Sequence, residues 1–127
     1  MSLAGKISNA ELEVMRILWR EGKAVPFSDI RIELQNTMDW EKSTINTLVR
    51  RLVDKGVIEA QKRDVIYYTP NITESEYIQA EERIMLDKLY GGSAKKFVAA
   101  LCNRGQLSEE DIDELKAFFK MEGARND

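Results

Sequence analysis

The chain has 127 residues, 43% hydrophobic and 32% charged, enough for one ordinary domain or a small one with an oligomerisation arm. It has no histidine and one cysteine, Cys102, which excludes an internal disulfide, the usual zinc, copper and haem sites and every Ser/His or Cys/His nucleophile pair, so neither cofactor, metal nor enzyme activity is expected. No apolar run approaches the ~20 residues that span a bilayer, and the first residues lack a signal's basic segment and long apolar core, so a cytoplasmic location without membrane insertion is expected.

Met1-Ser2-Leu3 reads as an added leader and is left out of the fold reading. Ser8-Asn9-Ala10-Glu11 is a capping box, with Ile7 and Leu12 placed to form the hydrophobic staple across it. The helix it opens carries Leu12, Met15 and Trp19 on one stripe and Val14 and Leu18 beside it, and Gly22 offers the stop. Val25-Pro26 begins a connection, and Ser28-Asp29 opens a second helix through Ile30, Leu34 and about Thr37. Met38-Asp39-Trp40 makes the turn into a third helix starting at Glu41 or Lys42.

In that third helix Ile45, Leu48, Val49, Leu52 and Val53 have the spacing of one buried face. Ser43, Asn46, Thr47, Arg50 and Arg51 take the opposite face, and Gly56 stands where a left-handed C-cap is expected. Val57–Lys62 and Val65–Pro70 read as strands about a tight turn at Arg63-Asp64. Helix, strand, turn, strand is the tail of a winged helix-turn-helix. The adjacent Tyr67 and Tyr68 face opposite sides of their strand, one in the core and one half-exposed; Trp19 reads as core and Trp40 as packing the turn.

Asn71–Ser75 is rich in cap residues and marks the expected boundary, giving a DNA-binding domain over residues 6–71 and a helical dimerisation domain over 72–122. Helices are predicted from about 75 to 90, from Ser93 to near Gly105, and from the cap Ser108-Glu109-Glu110-Asp111 onward. Some 50 residues cannot easily close a core alone, so their stripes need a partner. A second copy, meeting at Ile84, Leu89, Phe97, Leu101, Ile112, Leu115, Phe118 and Phe119, is the simplest; packing back onto the first domain is the alternative. Cys102 is expected to be a packed thiol.

The net charge of −3 hides an asymmetry: residues 41–63 hold six basic side chains (Lys42, Arg50, Arg51, Lys55, Lys62, Arg63) against three acidic ones. In a helix-turn-helix the first turns of the recognition helix meet base edges in the major groove. Those positions are Lys42, Ser43, Thr44, Asn46 and Thr47, whose amide, hydroxyls and methyls suit bases. Arg50 and Arg51 suit phosphates, with a guanine as the alternative, and Lys62 and Arg63 are wing residues for phosphate or minor-groove contact. The expected partner is double-stranded operator DNA. A winged-helix protein-interaction module and a ligand-responsive regulator stay open as alternatives.

Ile7–Trp19, Thr44–Gly56, Tyr67-Tyr68-Thr69-Pro70 and Leu107–Leu115 resemble the penicillinase-repressor family, with the copper-responsive repressors as cousins, and the likeness covers residues 6–122. It implies a mainly α fold with a small β-wing: a winged helix-turn-helix followed by a C-terminal helical dimerisation arm. It also implies a homodimeric repressor on palindromic operators, of the TACA…TGTA type, before antibiotic (β-lactam) resistance genes. In antibiotic-responsive members a membrane sensor with a metalloprotease domain triggers cleavage of the arm. The scissile Asn-Phe pair is here Ala100-Leu101, the paired cysteine motifs of the copper-responsive members are absent, and Glu41-Lys42 replaces the Ser-Pro that often opens the recognition helix.

Overall fold

The computed structural model describes residues 7–126, with side chains through Met121. The leader Met1-Ser2-Leu3 and the expected domain limits at residues 6 and 122 therefore lie outside the described backbone or side chains. The chain forms two compact units that divide between Glu82 and Arg83.

The first unit is built in the order α1 (Asn9–Glu21), β1 (Val25–Pro26), α2 (Phe27–Met38), α3 (Lys42–Asp54), β2 (Ile58–Lys62) and β3 (Ile66–Pro70), and it continues into the first turns of α4 (Glu74–Tyr90). The capping box forms as predicted: Glu11 N–H donates to Ser8 Oγ at 3.1 Å and Ser8 N–H to Glu11 Oε1 at 2.8 Å. Val14, Met15, Ile17 and Leu18 of α1 meet Ile30 and Leu34 of α2 and Ile45, Leu48, Val49 and Leu52 of α3 in one core. The antiparallel sheet, in the order β1-β3-β2, closes that core with Val25, Ile58 and Tyr68.

Three local readings change. Val25-Pro26 is a short edge strand paired with Tyr68 and Tyr67, too brief for periodicity to announce and compatible with proline because it lies at the edge. Helix α2 starts at Phe27, one residue before Ser28, and its N-cap Pro26 offers no side-chain hydrogen bond. The segment Asn71–Ser75 also belongs to the first unit rather than bounding it. Ile72 is buried, its carbonyl accepts the Trp19 indole N–H at 2.8 Å, and the Trp19 and Tyr77 rings lie 5.5 Å apart.

The second unit holds the rest of α4, α5 (Ala94–Asn103) and α6 (Glu109–Asn126). Ser93 caps α5 by accepting the Lys96 N–H at 3.1 Å, and Ser108 and Asp111 cap α6 reciprocally. Tyr90 and Phe97 pack ring to ring at 5.3 Å. None of this unit's described side chains is buried. Phe97, Leu101, Ile112 and Leu115 are half-buried, while Ile84, Leu89, Phe118 and Phe119 are exposed. Cys102 is exposed as well, contrary to the packed thiol expected: with no closed core in this unit there is nowhere to pack it.

Candidate nucleic-acid interface

Burial of Ile45, Leu48, Val49 and Leu52 decides which face of α3 points outward. Lys42, Ser43, Thr44, Asn46, Arg50 and Arg51 are all exposed on the remaining surface. Thr47 is half-buried, and its hydroxyl donates to the Ser43 carbonyl at 2.9 Å, so its methyl and its remaining lone pairs are what it offers outward. Glu41 at the N-cap makes no side-chain capping bond, in keeping with the poor cap its type predicts. At the other end Gly56 (φ 76°) supplies the left-handed turn: its N–H reaches Val53 O at 2.9 Å and the Val57 N–H reaches Leu52 O at 3.0 Å. The chain is thereby turned directly from α3 into the hairpin.

The hairpin pairs Ile58 with Pro70 through to Lys62 with Ile66, and the Arg63 N–H closes the turn on Val65 O at 2.9 Å. Lys62 and Arg63 are both exposed. The Arg63 guanidinium lies 5.0 Å over the Tyr67 ring and donates to Gln61 Oε1 at 2.9 Å, so this cation is held in place at the wing tip. Tyr68 is buried and Tyr67 half-exposed, as the strand alternation predicts.

Between α3 and the hairpin runs an open cleft of about 590 Å³, lined by Phe27, Lys42, Ser43, Asn46, Ile66 and Tyr68. Three of its lining residues, Lys42, Ser43 and Asn46, are ones expected from the sequence to contact DNA, and Tyr68 is expected on the strand. Phe27 and Ile66 are additions. Ile66 shares the face of Tyr68 two residues on, so strand alternation carried the signal; Phe27 stood in what read as a connection. Val65, 51% exposed, adds a second apolar side chain at the wing.

One cation of the basic stretch turns inward. Lys55 Nζ lies 2.6 Å from Oε1 of Glu11, which is buried. Burial pushes the Glu11 carboxyl up, but the bonds from Lys55 and Ser8 outweigh it and the pKa lies below the ordinary 4.5. The charge facing outward is therefore Lys42, Arg50, Arg51, Lys62 and Arg63.

Residues 7–121 match the family model described as penicillinase repressor. The chain belongs to the penicillinase repressor family. It is 37% identical over 111 residues to the penicillinase repressor of Bacillus licheniformis, spanning 87% of this chain and 86% of that one. It is 36% identical over 112 residues to the penicillinase repressor of Staphylococcus aureus, spanning 87% and 88%. The methicillin resistance regulatory protein MecI of Staphylococcus aureus strain N315 is 34% identical over 112 residues, 87% of this chain and 90% of that one. Among solved structures, that of the DNA binding domain of the repressor BlaI aligns with a TM-score of 0.52 at 42% identity, covering 56% of this chain and 87% of that one. The Bacillus licheniformis BlaI monomeric form in complex with the blaP half-operator gives a TM-score of 0.50 at 42% identity and the same coverage. The penicillinase repressor family consists of DNA-binding transcriptional repressors, and this chain is one, with a winged-helix domain. Among the described residues no helix is long and apolar enough to cross a membrane.

Proposed function

We propose that this repressor acts in the cytoplasm as a homodimer on palindromic operator DNA and controls β-lactam-type resistance genes. The observation that carries the reading is the outward face of α3, running from Lys42 to Arg51 and flanked by the Arg63 wing, on a domain similar to one solved with a half-operator. Lys42, Ser43, Thr44, Asn46 and Thr47 address base edges in the major groove. Arg50 and Arg51 neutralise phosphates, and Lys62 and Arg63 hold the flanking backbone or minor groove. The cleft between α3 and β3 accommodates the strand passing between these two contacts, its deoxyriboses against Phe27 and Ile66.

Dimerisation uses the apolar faces of the second unit at Ile84, Leu89, Phe97, Leu101, Ile112, Leu115, Phe118 and Phe119. Two joined recognition helices reach half-sites about one helical turn apart, and separating them forfeits the gain from simultaneous engagement. Induction is then any event that parts the arms. Ala100 and Leu101 are half-buried within α5, so a protease of a membrane-sensor pathway acting there has a helical turn to open before it can cut.

Selection from a random DNA pool with purified protein at near-physiological salt tests the reading. Enrichment of a two-fold palindrome is expected. Enrichment of a single half-site removes the dimer, and no enrichment removes sequence-specific DNA binding.

A further inference from the structure

Glu11 is the one buried charged residue among the described residues, at 1% exposure. Its Oε1 accepts two bonds, from Ser8 N–H at 2.8 Å and from Lys55 Nζ at 2.6 Å. Its Oε2 is also buried and has no hydrogen-bond partner among the described residues. Lys55 is the C-cap of α3, its own N–H bonded to Arg51 O at 2.9 Å, and it directly precedes the Gly56 turn into the hairpin. One carboxylate thus joins the first turn of α1 to the residue where recognition helix becomes wing, across 44 positions of sequence.

Such a pair is a poor source of net stability, because taking the Glu11 carboxylate out of water offsets its attraction to Lys55, whose side chain stays 30% exposed. What it supplies is placement. The buried face of α3 is all aliphatic, and aliphatic packing tolerates small shifts along and about a helix axis more readily than a 2.6 Å ion pair does. The capping bond needs only an acceptor oxygen at residue 11, which a carboxamide provides equally well; the bond from the Lys55 ammonium loses its charge assistance when the carboxylate becomes an amide. A residue whose side chain serves only the cap has no reason to be buried beside an ammonium from the far end of another helix.

We propose that the Glu11–Lys55 pair is the positioning device of the DNA-reading surface, fixing the end of α3 and the root of the wing so that both engage one duplex together. Lys55 acts from inside the domain and not on a phosphate. The inference rests on the DNA-binding reading above.

The test compares Glu11→Gln, Lys55→Met and the double variant, as full-length proteins, with Arg51→Ala as a phosphate-contact reference. Affinity is measured for the selected operator and for a random duplex across a salt series, at a temperature where circular dichroism shows each variant fully folded. Glu11→Gln keeps the cap and leaves no uncompensated buried charge, so it reports even where Lys55→Met fails to fold. The expected result is a fall of about tenfold in the operator-to-random ratio for each single variant, with the double variant no worse than the more affected single one. The slope of log affinity against log salt stays that of the unaltered protein.

A slope reduced by about 0.9 for Lys55→Met on both duplexes makes Lys55 a phosphate contact and overturns the proposal. An unchanged ratio in folded Glu11→Gln overturns it too, leaving the pair a stabilising contact only. If the unaltered protein prefers no sequence, the DNA-binding reading falls first and the proposal with it. A preference that Glu11→Gln leaves intact overturns the proposal alone.

Discussion

Leu18 and Phe118 are both large apolar residues on helices, yet the first is 0% exposed and the second 54%. The stripe of α1 meets two further helices and a sheet within its own unit, and every buried apolar side chain among the described residues lies between Val14 and Ile72. Within the second unit Phe118 touches Phe119 edge to face at 5.9 Å, and an open apolar cleft remains between Phe119 and the Val98–Ala99 surface of α5. Identical sequence patterning thus ends in a closed core in one region and in unfinished faces in the other. The difference is one of chain length: a few helices of this size remove too little area from water to balance the entropy of ordering them. The first unit has a closed core of its own, and the second has none among the described residues.

The sharpest way to break that contrast is to charge the open faces. Phe118→Asp combined with Phe119→Asp is expected to convert the dimer to monomers in analytical ultracentrifugation. Affinity for the full palindrome then falls about 10²–10⁴-fold, while half-site affinity is kept. A dimer that survives both aspartates places the interface elsewhere.

Leu18→Ala attacks the closed core instead, and a loss of about 2–5 kcal/mol in denaturant unfolding is expected. Because no second copy is needed to complete that core, the loss does not vary with protein concentration. For the aspartate pair the apparent stability is expected to vary with concentration in the parent and to cease to do so in the variant. A concentration-dependent cost for Leu18→Ala means that the first unit also leans on the partner.

The same contrast explains what was legible in the sequence. Periodicity reports which residues want burial and locates the stripes of α1, α3, α5 and α6, and local spacing gives the capping box at Ser8 and the N-cap at Ser108, because these depend on neighbours three or four positions away. It is silent on which surface does the burying. Cys102, read as packed, is exposed for that reason, and Asn71–Ser75, polar enough to resemble a linker, is tied down by the distant Trp19 indole. At the proposed DNA face the exposed side of α3 followed from its buried side. The inward turn of Lys55 did not, since its partner Glu11 is 44 positions away and already explained by the capping box. Ile66 was within reach of strand alternation, whereas Phe27 required the β1 pairing to be placed.

Smaller effects refine the reading of the first unit. Arg51→Ala is expected to lower the salt slope by about 1 and to weaken operator and random DNA alike, whereas Asn46→Ala is expected to cost about 1–3 kcal/mol on the operator only. Equal losses on both duplexes for Asn46→Ala place it on the backbone. Acid provides an internal control. Glu33 is held low by its two-pronged bond with Arg20, at 2.6 and 2.8 Å, and Glu76 by the Thr73 N–H, while Glu11 remains low despite its burial. Each of these carboxyls is more acidic folded than its ordinary 4.5, so the unfolded chain binds more protons as pH falls. Stability is therefore full above about pH 4.5 and declines as the pH drops through the folded values. Glu11→Gln is expected to flatten that decline in urea midpoints taken from about pH 6 to about pH 3; an unaltered profile removes Glu11 as a contributor.

The gentlest comparison uses one chemistry in both regions. Ser8 with Glu11 and Ser108 with Asp111 form reciprocal caps of nearly the same geometry, each hydroxyl accepting the N–H three residues on, at 3.1 and 3.0 Å. Ser8→Ala is expected to cost about 1 kcal/mol of global stability, because the freed N–H adjoins a closed core and the cap partner is the buried Glu11. At Ser108 the first turn of α6 is exposed, so water can replace the hydroxyl. Ser108→Ala is therefore expected to speed amide hydrogen exchange in that turn while leaving the unfolding of the first unit unchanged. Equal global losses for the two variants mean that the units unfold as one cooperative body, and the distinction between a self-sufficient core and an arm completed from outside then fails at the level of energetics, whatever the burial of individual side chains.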